Sequence, residues 1–152
     1  MMLVPKRYFV TDGAGLSKVS PLNAFDQALR DAGIAHLNLV PVTSILPRSA
    51  IEVEREDIPP GAITFVIMAK AEGESGQRIA AGLAWAMGDR HGYVIECHGN
   101  GENEVRRKLS SMMGEVERRS GMRFEGIKTR VRELKVPDGA YGCVIVALVL
   151  LL

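Results

Sequence analysis

The most informative stretch of this chain reads Leu37-Asn-Leu-Val-Pro-Val-Thr-Ser-Ile-Leu-Pro47. Leu37 to Val42 is apolar except at Asn38 and Pro41, a pattern that predicts a buried strand with a proline near its end. This strand leads directly into the hydroxyl pair Thr43-Ser44. A buried hydroxyl needs a hydrogen-bond partner or costs stability, so the pair requires an explanation.

Two interpretations of Thr43-Ser44 compete. In the first, both are turn residues whose hydroxyls bond the local backbone. In the second, the Ser44 hydroxyl attacks the Thr43 carbonyl, and the resulting ester eliminates to leave a pyruvoyl group at position 44. That chemistry needs a strained peptide bond and a donor for the oxyanion. Asn38, six residues before Ser44, could supply the amide donor.

Length and composition indicate a globular protein of one domain, residues 1–152, with 47% hydrophobic and 24% charged residues and a net charge of +1. Cys97 and Cys143 match no metal-ligand spacing and no disulfide framework, so we expect no metal and two reduced thiols in a cytoplasmic protein. The first residues lack the pattern of a signal peptide. The apolar tail 143–152 is half the length of a membrane helix, and we expect a buried strand there and no membrane association.

Two helices and about eight strands are predicted. The first helix begins at Ser20-Pro21 and ends at Gly33, and the second spans 102–120. Residues 79–87 contain many alanines, but large and small side chains alternate, which favours a strand with one small face. Residues 11–15 are predicted to form a glycine loop after a short strand. Hairpin-like connections predict an α+β fold of largely antiparallel sheets with helices packed on them.

Two carboxylates are candidates for chemistry. Asp26 lies next to Phe25 at the edge of the apolar stripe of the first helix, a stripe predicted to bury Leu22, Phe25, Leu29 and Ala32. It is either a solvated helix carboxylate or a group that holds a cation in a cleft. Glu96 lies in an apolar strand, two residues before His98. It is either exposed or a poorly solvated acid whose pKa is raised, which would suit proton donation.

The chain resembles the pyruvoyl-dependent arginine decarboxylases. The resemblance rests on Asn-Leu-Val-Pro-Val-Thr-Ser-Ile-Leu-Pro at 38–47 and on Pro-Leu-Asn-Ala-Phe-Asp at 21–26. It extends to Pro-Lys-Arg-Tyr-Phe-Val-Thr at 5–11 and to Tyr-Gly-Cys at 141–143. These segments occur in the same order and at similar spacing, so the resemblance covers nearly the whole chain.

The resemblance implies a four-layer αββα sandwich. It implies self-cleavage into a β chain of residues 1–43 and an α chain of residues 44–152, with the pyruvoyl group made from Ser44. That covalent group would form a Schiff base with L-arginine and accept the electrons released with CO2, without pyridoxal phosphate. The product would be agmatine, which serves polyamine biosynthesis or acid resistance.

The resemblance also assigns roles to single residues. Asp26 matches the acidic residue that binds the substrate guanidinium, Asn38 the asparagine of the processing site, and Glu96 the proton donor. Thr43 stands where many members have serine, and Arg48 where a second proline is frequent. Active sites between subunits of a homotrimer are implied as well.

Other functions remain open at this stage. The enzyme could decarboxylate another basic amino acid, or the chain could fold without cleaving. Residues 105–135 hold ten Lys and Arg against four Asp and Glu, so an uncleaved nucleic-acid or protein-binding module is a further alternative. Aromatic residues make up only 5% of the chain and offer few platforms for base stacking, so we expect no nucleic acid partner.

Overall fold

The structure, a computed structural model, describes residues 1–152 and contains two helices and nine strands. The strands are β1 (Arg7–Ser17), β2 (Asn38–Pro41), β3 (Ile45–Leu46), β4 (Ile51–Glu52), β5 (Ile63–Glu74), β6 (Arg78–Met87), β7 (Gly92–Gly99), β8 (Glu125–Lys135) and β9 (Tyr141–Leu151). The helices are α1 (Pro21–Ala32) and α2 (Glu102–Ser120).

The strands form two packed sheets. The first has the order β2-β5-β9-β1-β4 and the second β3-β7-β6-β8. Helix α1 packs on β1 and β9 of the first sheet, and α2 packs on β6, β7 and β8 of the second. The layers are therefore α1, first sheet, second sheet and α2, which confirms the predicted α+β sandwich with helices on the outer faces.

Strand β9 is the centre of the core. Its residues Val144, Val146 and Leu148 face the second sheet and join the cluster between the sheets. The alternating residues, among them Cys143 and Ile145, face α1 and are fully buried as well. A strand buried on both faces must be apolar throughout, which explains the uninterrupted apolar tail of the sequence.

Close packing of α1 corrects two predictions. Residues 11–15 are part of β1 and not a loop. A Cβ atom at Gly13 would lie 2.1 Å from the Ala28 carbonyl oxygen, so glycine here allows the helix backbone to approach the strand. The buried face of the helix consists of Ala24, Ala28 and Ala32, whereas Leu22 is 74% exposed, because only small side chains fit in this narrow gap.

The face of β6 that carries small residues allows α2 to pack closely on the second sheet, as Gly13 of β1 does for α1 on the first sheet. Ala80, Ala84 and Ala86 pack beneath α2, against Val105 and Leu109. The opposite face of β6 contributes its larger side chains to the core between the sheets. The predicted alternation of β6 is confirmed.

Strand β2 differs from its prediction as a buried strand. It lies at the edge of the first sheet and pairs only with β5, in parallel. Val40 and Val42 are 37% and 38% exposed. Pro41 is compatible with this position, because an edge strand does not need every backbone N–H for pairing. The apolar character of β2 therefore creates an exposed apolar surface in a single chain.

Candidate active site

The chain crosses from one sheet to the other at the hydroxyl pair. The Val42 backbone N–H donates to the Val66 carbonyl oxygen at 2.9 Å, which continues β2 in the first sheet. The Ser44 carbonyl oxygen accepts from the Val94 N–H at 2.8 Å, which starts β3 in the second sheet. Thr43 is the single residue between these two anchors, so the Thr43–Ser44 bond joins the edges of the two sheets.

Strand pairing determines where the Ser44 side chain points. Ile45 is paired with Tyr93 and Leu46 with Gly92, so the same antiparallel register places Ser44 opposite Val94. Val94 is fully buried in the core between the sheets. Directly opposed residues share a face of a sheet, so the half-buried Ser44 also faces inward.

Glu96 lies on the same inner face as Ser44. It follows Val94 by two residues on β7 and is paired with Leu83 of β6, which belongs to the core between the sheets. Ser44 and Glu96 are therefore diagonal neighbours, for which a separation of about 7–8 Å is typical. The two residues that the sequence singled out are therefore neighbours at the point where the chain enters the second sheet.

The surroundings of Glu96 favour its protonated form. Burial raises the pKa of its carboxyl group above the usual value, and the nearby His98 partly lowers it again. In a single chain the residue as a whole remains exposed, because β3 ends before it covers this part of β7. A further layer over this edge would remove more water from the carboxyl group and strengthen the effect.

The backbone at the crossing contains no left-handed residue. Thr43 is exposed, and neither Thr43 nor Ser44 has a positive φ. The strain that the cleavage chemistry invokes therefore does not take the form of a positive φ at either residue. What distinguishes this peptide bond is its position, because the residues on both sides of it are hydrogen-bonded to different sheets.

Asn38 lies away from Ser44 within one chain. Its side-chain amide donates to the Gly61 carbonyl oxygen at 2.9 Å. Val42 follows Asn38 by four positions along the paired strand, a length of about 13 Å at the usual rise of a strand. A single chain therefore does not bring Asn38 to the Thr43 carbonyl group.

Asp26 is also distant from Ser44 in one chain. It lies on α1 and forms an ion pair with Arg30 at 2.8 Å, with its side chain 44% exposed. The helix contacts Gly15, which is aligned through β9 with Glu72 of β5. The Ser44 crossing is anchored instead at Val66, six residues earlier on β5, about 20 Å away along the strand.

Two exposed apolar surfaces were missed by the sequence analysis. We call the first the edge patch (Val40, Val42, Ile45 and Ile63) and the second the helix patch (Leu16, Val19 and Leu22). The edge patch surrounds the Ser44 crossing, and the helix patch lies next to Asp26. The hydrophobic pattern of α1 could have revealed the helix patch. The apolar stripe that includes Leu22 is wider than the face of alanines that α1 buries, so part of the stripe must stay exposed in one chain.

The basic segment 105–135 is largely neutralised. Six of its ten cations form ion pairs with carboxylates: Arg106, Lys108, Arg119, Lys128, Arg130 and Arg132. Arg132 and Arg130 both bind Asp12 and tie the edge strand β8 to the first sheet. This part of the chain therefore offers few free charges to a phosphate backbone.

The chain has neither a cluster of metal-binding side chains nor a membrane-spanning helix. No three side chains of His, Cys, Asp or Glu form a group that could hold a metal ion. Neither helix is long and apolar enough to cross a membrane. Ser44 and Glu96 line none of the principal cavities of a single chain, which places them on an open edge.

Comparison with known proteins gives a consistent result. Residues 7–152 match the family model described as pyruvoyl-dependent arginine decarboxylase. Proteins of that name from Methanococcoides burtonii and Methanocella arvoryzae are each 41% identical, over 67% of this chain and 61% and 66% of their own lengths. Pyruvoyl-dependent arginine decarboxylase 1 of Methanosarcina acetivorans is 35% identical over 73% of this chain and 74% of its own. The chain thus spans slightly less than two thirds of the first two relatives.

Proposed function

This chain belongs to the pyruvoyl-dependent arginine decarboxylase family, and we propose that it cleaves itself before Ser44 and then converts L-arginine to agmatine and CO2. The observation that carries the proposal is the placement of Ser44 beside Glu96 on the inner face of the second sheet. A nucleophile and an acid with a raised pKa are the two groups that self-cleavage and protonation require.

The cleavage step uses the Ser44 hydroxyl. Its oxygen attacks the Thr43 carbonyl carbon, the C–N bond breaks, and the chain is then joined through an ester. Elimination releases residues 1–43 with a carboxylate and leaves a dehydroalanine at position 44, to which water adds while ammonia leaves. The new end of the chain is the pyruvoyl group, so the reaction consumes one water and releases one ammonia.

The two fragments would stay together after cleavage. Residues 1–43 contain β1, α1 and β2, and β1 is paired with β9 along its whole length, from Arg7 to Ser17. Ser44 would remain with β3 in the second sheet, held by its bond to Val94. Cutting the one link between the sheet edges would also free them to separate locally and admit a substrate.

The residues at this edge fit a pyruvoyl group. Ser44 faces inward, and its neighbours Val94 and Leu46 are fully buried. A ketone at position 44 would therefore lie against apolar side chains on its inner side. When bound to the substrate amino group, the pyruvoyl group supplies an electron sink for decarboxylation. Glu96 then delivers a proton to the substrate carbon that has lost CO2, because its carboxyl group keeps its proton to higher pH than an ordinary glutamate.

Recognition of arginine is assigned to Asp26. A carboxylate binds a planar guanidinium through two parallel hydrogen bonds, and Asp26 already accepts one from Arg30. An exposed pair of this kind is worth no more than about 1 kcal/mol, so a substrate guanidinium can replace Arg30. Since Asp26 lies on a helix that contacts strand positions well removed from the Ser44 crossing within one chain, it would act on the Ser44 site of a neighbouring protomer.

A homotrimer would bring these residues together. The edge patch and the helix patch lie towards opposite ends of β5 and are different surfaces, so a contact between them is head-to-tail. A head-to-tail contact forms a closed ring when the rotation between neighbours is a whole fraction of a turn, which is one third of a turn for a trimer. Such a contact buries Val40 and Ile45 of one protomer against Val19 and Leu22 of the next. The contact would bring Asp26 of one protomer towards Ser44 of the next. It would also place Asn38 near the Thr43–Ser44 bond of another protomer.

Intact mass and product analysis test the proposal. The purified chain should give two species, residues 1–43 and residues 44–152, the latter lighter than its encoded mass by one ammonia. It should release CO2 and agmatine from L-arginine. Ser44→Ala should give one intact chain without activity, while the control variant Ser49→Ala, at an exposed position five residues away, should be cleaved. A single uncleaved species in the wild type after long incubation contradicts the proposal.

A further inference from the structure

A charged cavity lies away from the edge that carries Ser44 and Glu96. It has a volume of about 490 Å³ and is found where β3, the β6–β7 turn and the start of β8 meet. Arg48 lines it from the segment after β3, Asp89 from the turn, and Arg123 and Glu125 from the start of β8. Met87 is the only hydrophobic residue of the lining, so the cavity suits a polar occupant.

The four charged groups of this cavity do not pair with one another. Elsewhere in the chain several carboxylates form an ion pair with a nearby cation within 4 Å, as Glu52 does with Lys128 and Glu104 with Lys108. None of Arg48, Asp89, Arg123 and Glu125 forms one. Two guanidinium groups and two carboxylates thus surround one space and are exposed there to solvent.

The backbone around the cavity keeps these groups apart. The Gly88 N–H donates to the His91 carbonyl oxygen at 3.0 Å and closes the turn that carries Asp89. The Phe124 N–H donates to Glu117 Oε2 at 2.7 Å and fixes the backbone between Arg123, which precedes β8, and Glu125, its first residue. Pro47 restricts the backbone before Arg48. The cavity is therefore framed by three constrained segments of the chain.

We propose that this cavity binds a free α-amino acid. Arginine side chains bind a carboxylate through paired, charge-assisted hydrogen bonds, and Asp89 and Glu125 suit an ammonium or guanidinium group. A ligand with both charges satisfies all four side chains, whereas a simple anion or a simple cation leaves one pair uncompensated. The balance of two positive and two negative groups thus selects a zwitterion.

The proposal also gives Arg48 a purpose. Arg48 follows Ser44 by four residues and forms no ion pair within 4 Å in one chain. An amino acid bound here connects the β3 segment to the β6–β7 turn and to the end of α2. The site goes beyond the proposed function, because it needs neither cleavage at Ser44 nor Glu96.

Amide NMR of the full-length Ser44→Ala chain tests the site without turnover. Titration with L-arginine should shift the amide resonances of Gly88, Asp89, Gly121 and Arg123 in a saturable way. Agmatine, which lacks the carboxylate, should not saturate the same shifts. The double variant Arg48→Ala/Arg123→Ala should weaken L-arginine binding at these amides by about tenfold or more.

Matched variants separate this site from general charge effects. Arg107→Ala removes another exposed arginine outside the cavity and should leave the titration unchanged. Asp89→Asn should weaken L-arginine binding as the double variant does. The absence of saturable shifts, or equal shifts with agmatine, or no effect of the double variant would overturn the proposal. Each outcome is read at these amides and is therefore independent of whether the wild type decarboxylates arginine.

Discussion

At the level of single residues, Ser44 and Glu96 are the pair on which the proposed chemistry depends. Their relation follows from strand register, because Ser44 is opposite Val94 and Glu96 follows Val94 by two residues. A shift of the β3–β7 register by one residue would turn Ser44 outward. The position of the proposed nucleophile is therefore determined by the pairing of a very short strand with β7.

The substitution Glu96→Gln should slow arginine decarboxylation without preventing self-cleavage before Ser44. The amide cannot donate a proton as a carboxyl group can, so kcat should fall by about 10²- to 10⁴-fold. Cleavage should still give two fragments, because Ser44, and not Glu96, is the proposed nucleophile of that step. The measurement is kcat for CO2 release together with intact mass. Activity within a fewfold of the wild type would exclude Glu96 as the proton donor.

The pH dependence of the same step has a definite sign. Desolvation raises the pKa of Glu96, so its protonated, donating form persists to higher pH than in an ordinary glutamate, and kcat should fall as pH rises through that pKa. His98 lowers the pKa of Glu96, and His98→Gln should therefore move the fall in kcat to higher pH. A pH profile unchanged by this substitution would show that another group limits the reaction.

Asp26→Asn should affect substrate binding and spare cleavage. The amide retains the shape of the carboxylate but loses its charge, and a charge-assisted hydrogen bond is worth about 1.5–3 kcal/mol. We expect KM for L-arginine to rise by about tenfold or more, with normal formation of two fragments. Asp31→Asn, on the same helix and also exposed, is the matched control for charge. Equal KM values for Asp26→Asn and the wild type would contradict the proposal that Asp26 binds the guanidinium group of the substrate.

At the level of elements, the small residues of β1 and β6 set the distances between layers. Gly13 allows α1 to lie directly on the first sheet, and Gly82 has Val105 of α2 and Val131 as close neighbours. Larger side chains at these positions would move a helix outward. The layers of the sandwich are thus spaced by residues that contribute little apolar area themselves.

Gly13→Ala should test this packing. The added Cβ atom would meet the Ala28 carbonyl oxygen at 2.1 Å, so α1 must move, and the free energy of unfolding should fall by about 1–3 kcal/mol. Gly114→Ala in α2 is the control, since its nearest neighbour is the flexible end of Arg118 and alanine favours a helix. Urea unfolding measures both. Equal stability of Gly13→Ala and the wild type would contradict the packing argument.

For the whole molecule, the arrangement of exposed apolar surface favours assembly. Val19 and Leu22 are 79% and 74% exposed, and Val40 and Ile45 are exposed around the Ser44 crossing. Apolar surface of this kind marks contacts between chains. The distance between Asp26 and Ser44 within one chain leads to the same conclusion, because their proposed roles require a neighbour.

Val19→Asp should dissociate the proposed trimer. The charge would be placed within an apolar contact, while the fold should be preserved because Val19 is exposed and lies outside the helices and strands. Light scattering should show a smaller species, and arginine decarboxylation should be lost together with the shared site. Lys18→Asp, at the neighbouring exposed position, is the control for charge. A trimer that survives Val19→Asp would exclude the helix patch from the interface.

Much of the fold was accessible from the sequence because local patterns determine it. The caps at Ser20 and Gly33, the alternation in β6 and the apolar tail each predicted their element, and the sandwich of α1, two sheets and α2 followed. The glycine loop at 11–15 and the burial of Leu22 were wrong. Both errors arose because close approach of a helix to a strand depends on residues distant in sequence.

The sequence by itself determined the helices and strands and the residues that could take part in a reaction. It could do so because strand alternation, helix caps and the motif around Ser44 are local properties. Only the tertiary structure decided that β2 and β3 belong to different sheets, and hence that Thr43–Ser44 joins two sheet edges. It also decided that Glu96 lies beside Ser44 while Asp26 and Asn38 do not. The physical reason is that strand pairing is non-local, so hydrogen bonds between segments some 50 residues apart determine which side chains meet.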